Sequence, residues 1–362
     1  MDKDAFEIAD SIRYSDDKKT QTLSFEGNRL KLLELGLSLQ ALKVSKEITP
    51  TIYDSLEKVC NNLNLAQNKV SVYISPSSEI QAQCISFDTE ACIITLSSEL
   101  ANSLNSDELG FVMGHELGHF LFSHPIENIV SSKESLIALR AKEISVDRVG
   151  LWACRDLDIA MKAIIKTLSG LDDRLLRFDI NFFLKQIEHD TIPAESQQSY
   201  SSHPSLLLRA KSLLRFSLSN EFQNLVKGTK GSGLAEIDKL IKKDLDFYSD
   251  SQIRNEIKVS RELVEFWITV HSIIKSGSLT KNNQELIADR FGEDKKTKLI
   301  NMLEGMDKKE AEDLVKEKIK STVSDFTEAA PNESKKELNL IIEKIEEETN
   351  SPGLLKEIQR FI

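Results

Sequence analysis

The chain has 362 residues, with 47 Lys plus Arg against 58 Asp plus Glu and a formal net charge of -11. At roughly 150 residues per domain, this length predicts about two domains, each able to bury a core. An acidic chain with 6% aromatic residues lacks the cationic surface that dominates affinity for phosphate backbones. Nucleic acid is therefore excluded as a default partner, and anionic membrane surfaces are disfavoured.

The opening MDKDAFEIADSIRYSDDKKT carries acids where a secretory signal needs a basic start and an apolar run, so no export signal is expected. No stretch reaches the roughly eighteen apolar residues of a membrane span, and no spanning segment is expected. Cys60, Cys84, Cys92 and Cys154 form no C-x-x-C pair; reduced thiols and a cytoplasmic location are the reading.

Residues 1–27 read as an N-terminal tail. Residues 28–64 read as two helices, broken where Pro50 favours a fresh start. Three short β-like runs follow, at 70–74, 81–87 and 91–96, predicting a small antiparallel sheet. Ser106, followed by Asp107 and Glu108, is a helix start, and that helix should run to about Ser123, before Pro125. Apolar spacing from Leu136 to Leu151 predicts a long helix over 133–156, with further helices at 158–169 and 174–189 and Gly170 as a stop. Pro204 should open another helix. Three glycines within 228–233 mark a linker. Beyond it, residues 234–362 look entirely helical, with segments at 280–292, 307–327 and 333–348.

Within the helix predicted from Ser106, His115-Glu116-Leu117-Gly118-His119 fits H-E-x-x-H. Residues four apart on a helix lie about 40° apart in azimuth and about 6 Å along the axis, so both imidazoles can grip one tetrahedral zinc ion. Glu116 lies beside that ion, placed to take a proton from zinc-bound water. With 6 His and 58 acids in 362 residues, chance produces such a pattern only about 0.01 to 0.02 times per chain. The alternative, two polar residues on a solvated face, fits poorly with the neighbours Phe111, Val112, Met113, Phe120, Leu121 and Phe122. Gly114 and Gly118 each cost about 1 kcal/mol inside a helix relative to alanine, which predicts the close approach of another helix. Glu143, with Asp147 one turn on, is the leading candidate for a third ligand; a solvated acid is the alternative. His124 falls about 140° beyond His119 and should point away from the metal. His189 reads as a surface ion-pairing residue and His271 as a core or boundary histidine.

His115-Glu116-Leu117-Gly118-His119, then Glu143-x-x-x-Asp147-Arg148, then Ser202-His203-Pro204 followed by Arg209, resemble the HtpX and CaaX-prenyl-protease family of zinc metallopeptidases, peptidase family M48. The resemblance covers about residues 45–215. It implies an α+β, mostly α, gluzincin-type domain over 28–227, with a small sheet whose edge strand holds the substrate. An all-α C-terminal domain over 234–362 would follow the 228–233 linker. It further implies one Zn2+ per chain held by His115, His119 and Glu143, with Glu116 as general base in the hydrolysis of protein or peptide substrates. His203 would lie near the metal, stabilising the oxyanion or occupying the open position in a latent state. Asp147 would orient a ligand histidine, and Arg209 would tie its segment to the catalytic helices. Gln81-Ala82 stands where the family commonly has Asn-Ala, and the absence of a spanning segment sets aside prenyl-protein processing. A second reading is a latent or non-proteolytic zinc-containing interaction protein that binds a protein partner through residues 234–362. Finally, residues 70–132 hold eight acids and no Lys or Arg. Either strands and a buried helix exclude basic side chains, or the site lies in an electronegative cleft.

Overall fold

The computed structural model describes residues 3–18, 29–124, 133–180, 182, 183, 185, 204–277, 279–360 and 362. His189 and His203 lie outside these residues. Of the helix expected over 174–189, residues 174–179 are turn and irregular chain, and most of the remainder also lies outside. The chain divides into two compact units, Met1–Ile129 with Leu136–Asp250, and Val130–Ser135 with Ser251–Ile362.

In the first unit, the segment expected as a tail contains helix α1 (Ala5–Ile12), started by a capping box between Asp4 and Glu7. Ala5, Ala9 and Ile12 fall on one face and are buried in the main core. The acids between them mask this short apolar stripe in the sequence. Helix α2 (Arg29–Ser38) precedes a two-residue strand β1 (Leu42–Lys43), and α3 (Pro50–Leu63) begins at its proline and ends on Asn64 in the left-handed region. Strands β2 (Val70–Ser75), β3 (Ala82–Ser86) and β4 (Cys92–Ser97) match the three predicted runs within a residue or two.

The sheet order is β1-β2-β4-β3, and it is mixed: β2 and β4 are parallel, while β1–β2 and β3–β4 are antiparallel. The expected antiparallel sheet is thereby corrected. Each strand reverses on the one before it, but β4 inserts between β2 and β3, so β2 and β4 run side by side in the same direction. Alternation of residue types fixes a strand's faces, not its neighbours. This arrangement leaves β3 at one edge.

Helix α4 (Ser98–Ser103) leads into α5 (Ser106–Leu121), which is capped by Asn105, one residue before the expected cap, with Glu108 closing the capping box. Buried Lys166, on α7 (Leu157–Ser169), lies 2.8 Å from the Glu108 carboxylate and ties the two helices together. Gly170 ends α7 at φ 71° as expected. Helix α6 (Lys133–Cys154) and helix α8 (Leu206–Ser217) complete the frame of the site; Ser205 caps α8, so Pro204 stands just outside it. Beyond α8, Gly228 closes the helix Asn220–Lys227 at φ 62°. Ser219 bridges to Ser232, and a Cβ on Gly231 would lie 2.2 Å from the Leu218 carbonyl oxygen. The 228–233 segment is thus pinned by backbone contacts. Helix Leu234–Leu245 buries Ile237, Ile241 and Leu245 with Tyr14, Ile144 and Leu208, inside the first unit.

In the second unit, helix Ser251–Ser276 packs against Lys308–Ala329 and Pro331–Glu348 around Val264, Ile268, Val315, Ile319, Phe326, Ile342 and Ile345. Thr280 and Gly292 bound the helix Lys281–Phe291, and Asp307 caps Lys308–Ala329 with a capping box. Among the described residues, no helix is long and apolar enough to cross a membrane.

Candidate metal centre

Helices α5 and α6 approach closely because two residues of α5 carry no side chain. A Cβ on Gly114 would lie 2.6 Å from the Ala153 Cβ, and one on Gly118 would lie 2.9 Å from the Val146 Cβ. On α6, Gly150 reciprocates beneath the Phe111 ring, 2.9 Å from its own absent Cβ. This close approach brings α6 side chains one turn apart, Glu143 and Asp147, against the histidines of α5.

His115, His119 and Glu143 each offer a ligand atom, and these atoms lie within 4.8 Å of one another. Nε2 of His115 is 3.7 Å from Oε2 of Glu143, and Nε2 of His119 is 3.7 Å from Oε1. These separations exceed hydrogen-bond length. A tetrahedral ion about 2.0–2.2 Å from each donor would set them roughly 3.3–3.6 Å apart, so the three groups fit one metal ion. Glu143 is buried, whereas the side chains of His115 and His119 are 12% and 19% exposed, leaving the imidazole side of the group open to solvent.

The other face of His115 is fixed. Its Nδ1 lies 2.9 Å from Oδ1 of Asp147, which makes Nδ1–H the donor and turns the Nε2 lone pair toward Glu143. Arg209 on α8 donates to both Asp147 oxygens, Nε to Oδ2 at 2.8 Å and Nη2 to Oδ1 at 2.5 Å. Burial opposes the charge on Asp147, but Arg209 and His115 outweigh it and hold the carboxyl down at about 2. Burial likewise opposes the Arg209 charge, yet Asp147 raises its pKa further above the ordinary range. Burial would also keep His115 neutral, and Asp147 and Glu143 override it to raise its pKa. Glu116 is 8% exposed, and desolvation raises its pKa above the ordinary carboxylate value. Helix α5 packs along β3 and β4, and the Cys84 backbone N–H of edge strand β3 works against that rise in Glu116.

The helical azimuth expected for His124 does not apply, although its imidazole lies on the Nδ1 side of His119 and not among the ligand atoms. Helix α5 ends at Leu121, Ser123 turns to φ 54°, and the His124 N–H donates to the His119 carbonyl at 2.9 Å. That reversal swings the imidazole back, so that Nδ1 of His124 lies 3.1 Å from Nδ1 of His119. The 140° azimuth applies only while the helix continues. Pro125 already sets the expected stop near Ser123, so the helical azimuth does not carry past it to His124. Asp17, 3.4 Å from Nε2 of His124, has no comparable signature, since it comes from the segment expected as a tail. His271, in the other unit, is buried and 3.2 Å from Glu357, as expected of a core histidine. Three acids of the 70–132 window, Glu90, Asp107 and Glu108, pair with Lys69, Lys58 and Lys166 from outside it. The window is therefore partly neutralised by its neighbours, which weakens the case for a cleft field.

Residues 48–139 match the family described as Peptidase family M48. Over 214 residues, 51% of this chain and 62% of the relative, the sequence is 24% identical to the plastoglobule-localized metallopeptidase 48, chloroplastic, of Arabidopsis thaliana. The chain thus spans under two thirds of the curated relative's length. No solved structure matches. The family match contains the helix that bears His115, Glu116 and His119, and the next helix brings Glu143 within ligand distance of both imidazoles; over residues 48–139 the chain is similar to peptidase family M48.

Proposed function

We propose that this protein is a zinc-dependent endopeptidase acting on protein or peptide substrates. The observation that carries this reading is the meeting of His115, His119 and Glu143, with ligand atoms within 4.8 Å, beside the buried Glu116. Two imidazole nitrogens and one carboxylate oxygen form a zinc-type donor set that leaves a fourth position open. When bound, the ion supplies a Lewis acid that polarises the scissile carbonyl and acidifies a water molecule.

The chain's own residues do the rest. Glu116 takes a proton from the attacking water at a carboxylate oxygen and returns it to the departing amine nitrogen; a desolvated carboxyl with a raised pKa suits both steps. Asp147 accepts from Nδ1–H of His115 and holds that ring in its ligating orientation, and Arg209 fixes Asp147 in turn. A substrate segment adds to the β3 edge through main-chain hydrogen bonds, next to Glu116.

The test is Glu116→Gln. This variant keeps zinc, measured by elemental analysis of the purified chain, and loses casein or peptide cleavage by a factor on the order of 10²–10⁴. Normal turnover in Glu116→Gln would remove the assignment.

A further inference from the structure

The second imidazole of the group, His119, has a different backing from His115. Its Nδ1 lies 3.1 Å from Nδ1 of His124, and Nε2 of His124 lies 3.4 Å from Oδ2 of Asp17. The protons along this series have one consistent placement. With Nε2 of His119 turned to Glu143 as a ligand atom, its proton sits on Nδ1 and is donated to Nδ1 of His124. The His124 proton then sits on Nε2, facing the Asp17 carboxylate. Both partners are shielded, with His124 and Asp17 side chains 1% and 0% exposed.

Asp17 owes its position to contacts made away from the metal group. Tyr14 donates its N–H to Ser145 Oγ at 3.0 Å, and Ser15 donates to Asp238 Oδ2 at 3.0 Å. Arg148 donates to the Ile12 carbonyl at 3.1 Å. Arg13 Nη1 lies 3.4 Å from Asp17 Oδ2, with its guanidinium over the Phe122 ring. The carboxylate is thus carried on a clamped strap rather than on a loose end.

We propose that Asp17 and His124 are positioning residues for His119, so that residues 13–17 set how tightly the metal ion is held. This deepens the zinc reading above and rests on it. Such outer partners orient a ligating imidazole and raise its basicity, and their loss typically costs about 10–100-fold in metal affinity.

The experiment titrates the full apo chain with Zn2+ against a competing chelator and records the visible spectrum with Co2+. The set is wild type, Asp17→Asn, His124→Leu, His124→Gln and the Asp17→Asn/His124→Leu double variant, at a temperature well below the melting point of each apo chain. Zinc affinity falls on the order of tenfold or more in Asp17→Asn and His124→Leu, with an altered Co2+ spectrum. His124→Gln, whose amide can accept from His119, recovers part of the loss. Adding Asp17→Asn to His124→Leu costs nothing further, because the carboxylate acts only through the imidazole. Wild-type affinity and spectrum in Asp17→Asn and His124→Gln overturn the proposal, as does an equal Asp17→Asn cost with and without His124. A wild-type chain that takes up no zinc fails at the earlier step and overturns the metal reading itself.

Discussion

Asp147 stands between two buried groups that each depend on it. It fixes the Nδ1 side of His115 and takes both bonds from Arg209. Replacing it with asparagine leaves a buried guanidinium facing a neutral amide, and removing one partner of a buried pair costs about 3–5 kcal/mol. Asp147→Asn therefore lowers the denaturant midpoint of the apo chain and also weakens metal binding, about 10–100-fold. Chemical unfolding and a chelator titration, performed separately, check the two effects. At this scale the sequence was most readable where helical periodicity alone decides geometry. His115 and His119 share a face whatever the rest of the chain does. His124 was unreadable by the same rule, because its position depends on a helix stop and a reversal at Ser123. Asp17 needed the fold itself, since 107 positions separate it from His124 along the chain.

The α5–α6 contact shows how an element can be placed by what it lacks. Two helical glycines announce a close approach, and the structure supplies Ala153 and Val146 as the surfaces approached. Gly118→Ala would put a methyl 3.0 Å from the Val146 Cα, which belongs to backbone and cannot rotate away. This substitution is expected to destabilise by about 1–3 kcal/mol and to disturb the spacing of His115, His119 and Glu143. Gly110→Ala is its control on the same helix. Its Cβ would meet Val59 Cγ2 at 3.5 Å, an ordinary contact, so better helix propensity should stabilise by up to about 1 kcal/mol. Thermal melts of the two variants should move in opposite directions. The strands were legible as segments because β-branched runs broken by turn residues mark them out. Their order was not, since the insertion of β4 between β2 and β3 is a choice between edges that share one pattern. The glycine-rich 228–233 segment misleads in a similar way, because Gly231 serves close backbone packing rather than freedom.

On the scale of the whole molecule, the two units carry different titrating groups. In the second, burial lowers the pKa of His271 despite the opposing pull of Glu357, and Glu357 is itself held below its usual value, burial being outweighed by Lys275 and His271. The unfolded chain then binds more protons than the folded one as pH falls below about 6.5. Stability from both groups is present near neutrality and is lost toward acid. With Trp152→Phe leaving buried Trp267 as the fluorescent reporter, the unfolding midpoint of this unit should fall between pH 7 and pH 5. In His271→Gln that slope should be flatter, and an identical slope would contradict the assignment.

The clamp on residues 12–17 also has a kinetic meaning. The bonds from Tyr14 to Ser145, from Arg148 to Ile12 and from Ser15 to Asp238 close loops of 131, 136 and 223 residues. Contacts of such separation form late, because loop closure must precede the interactions that reward it. During synthesis the histidines of α5 are present long before Asp238 exists to receive Ser15. A ribosome-bound chain cut short of Asp238 lacks the last of these three bonds, so its N-terminal strap should be cut faster by a protease than that of the completed chain.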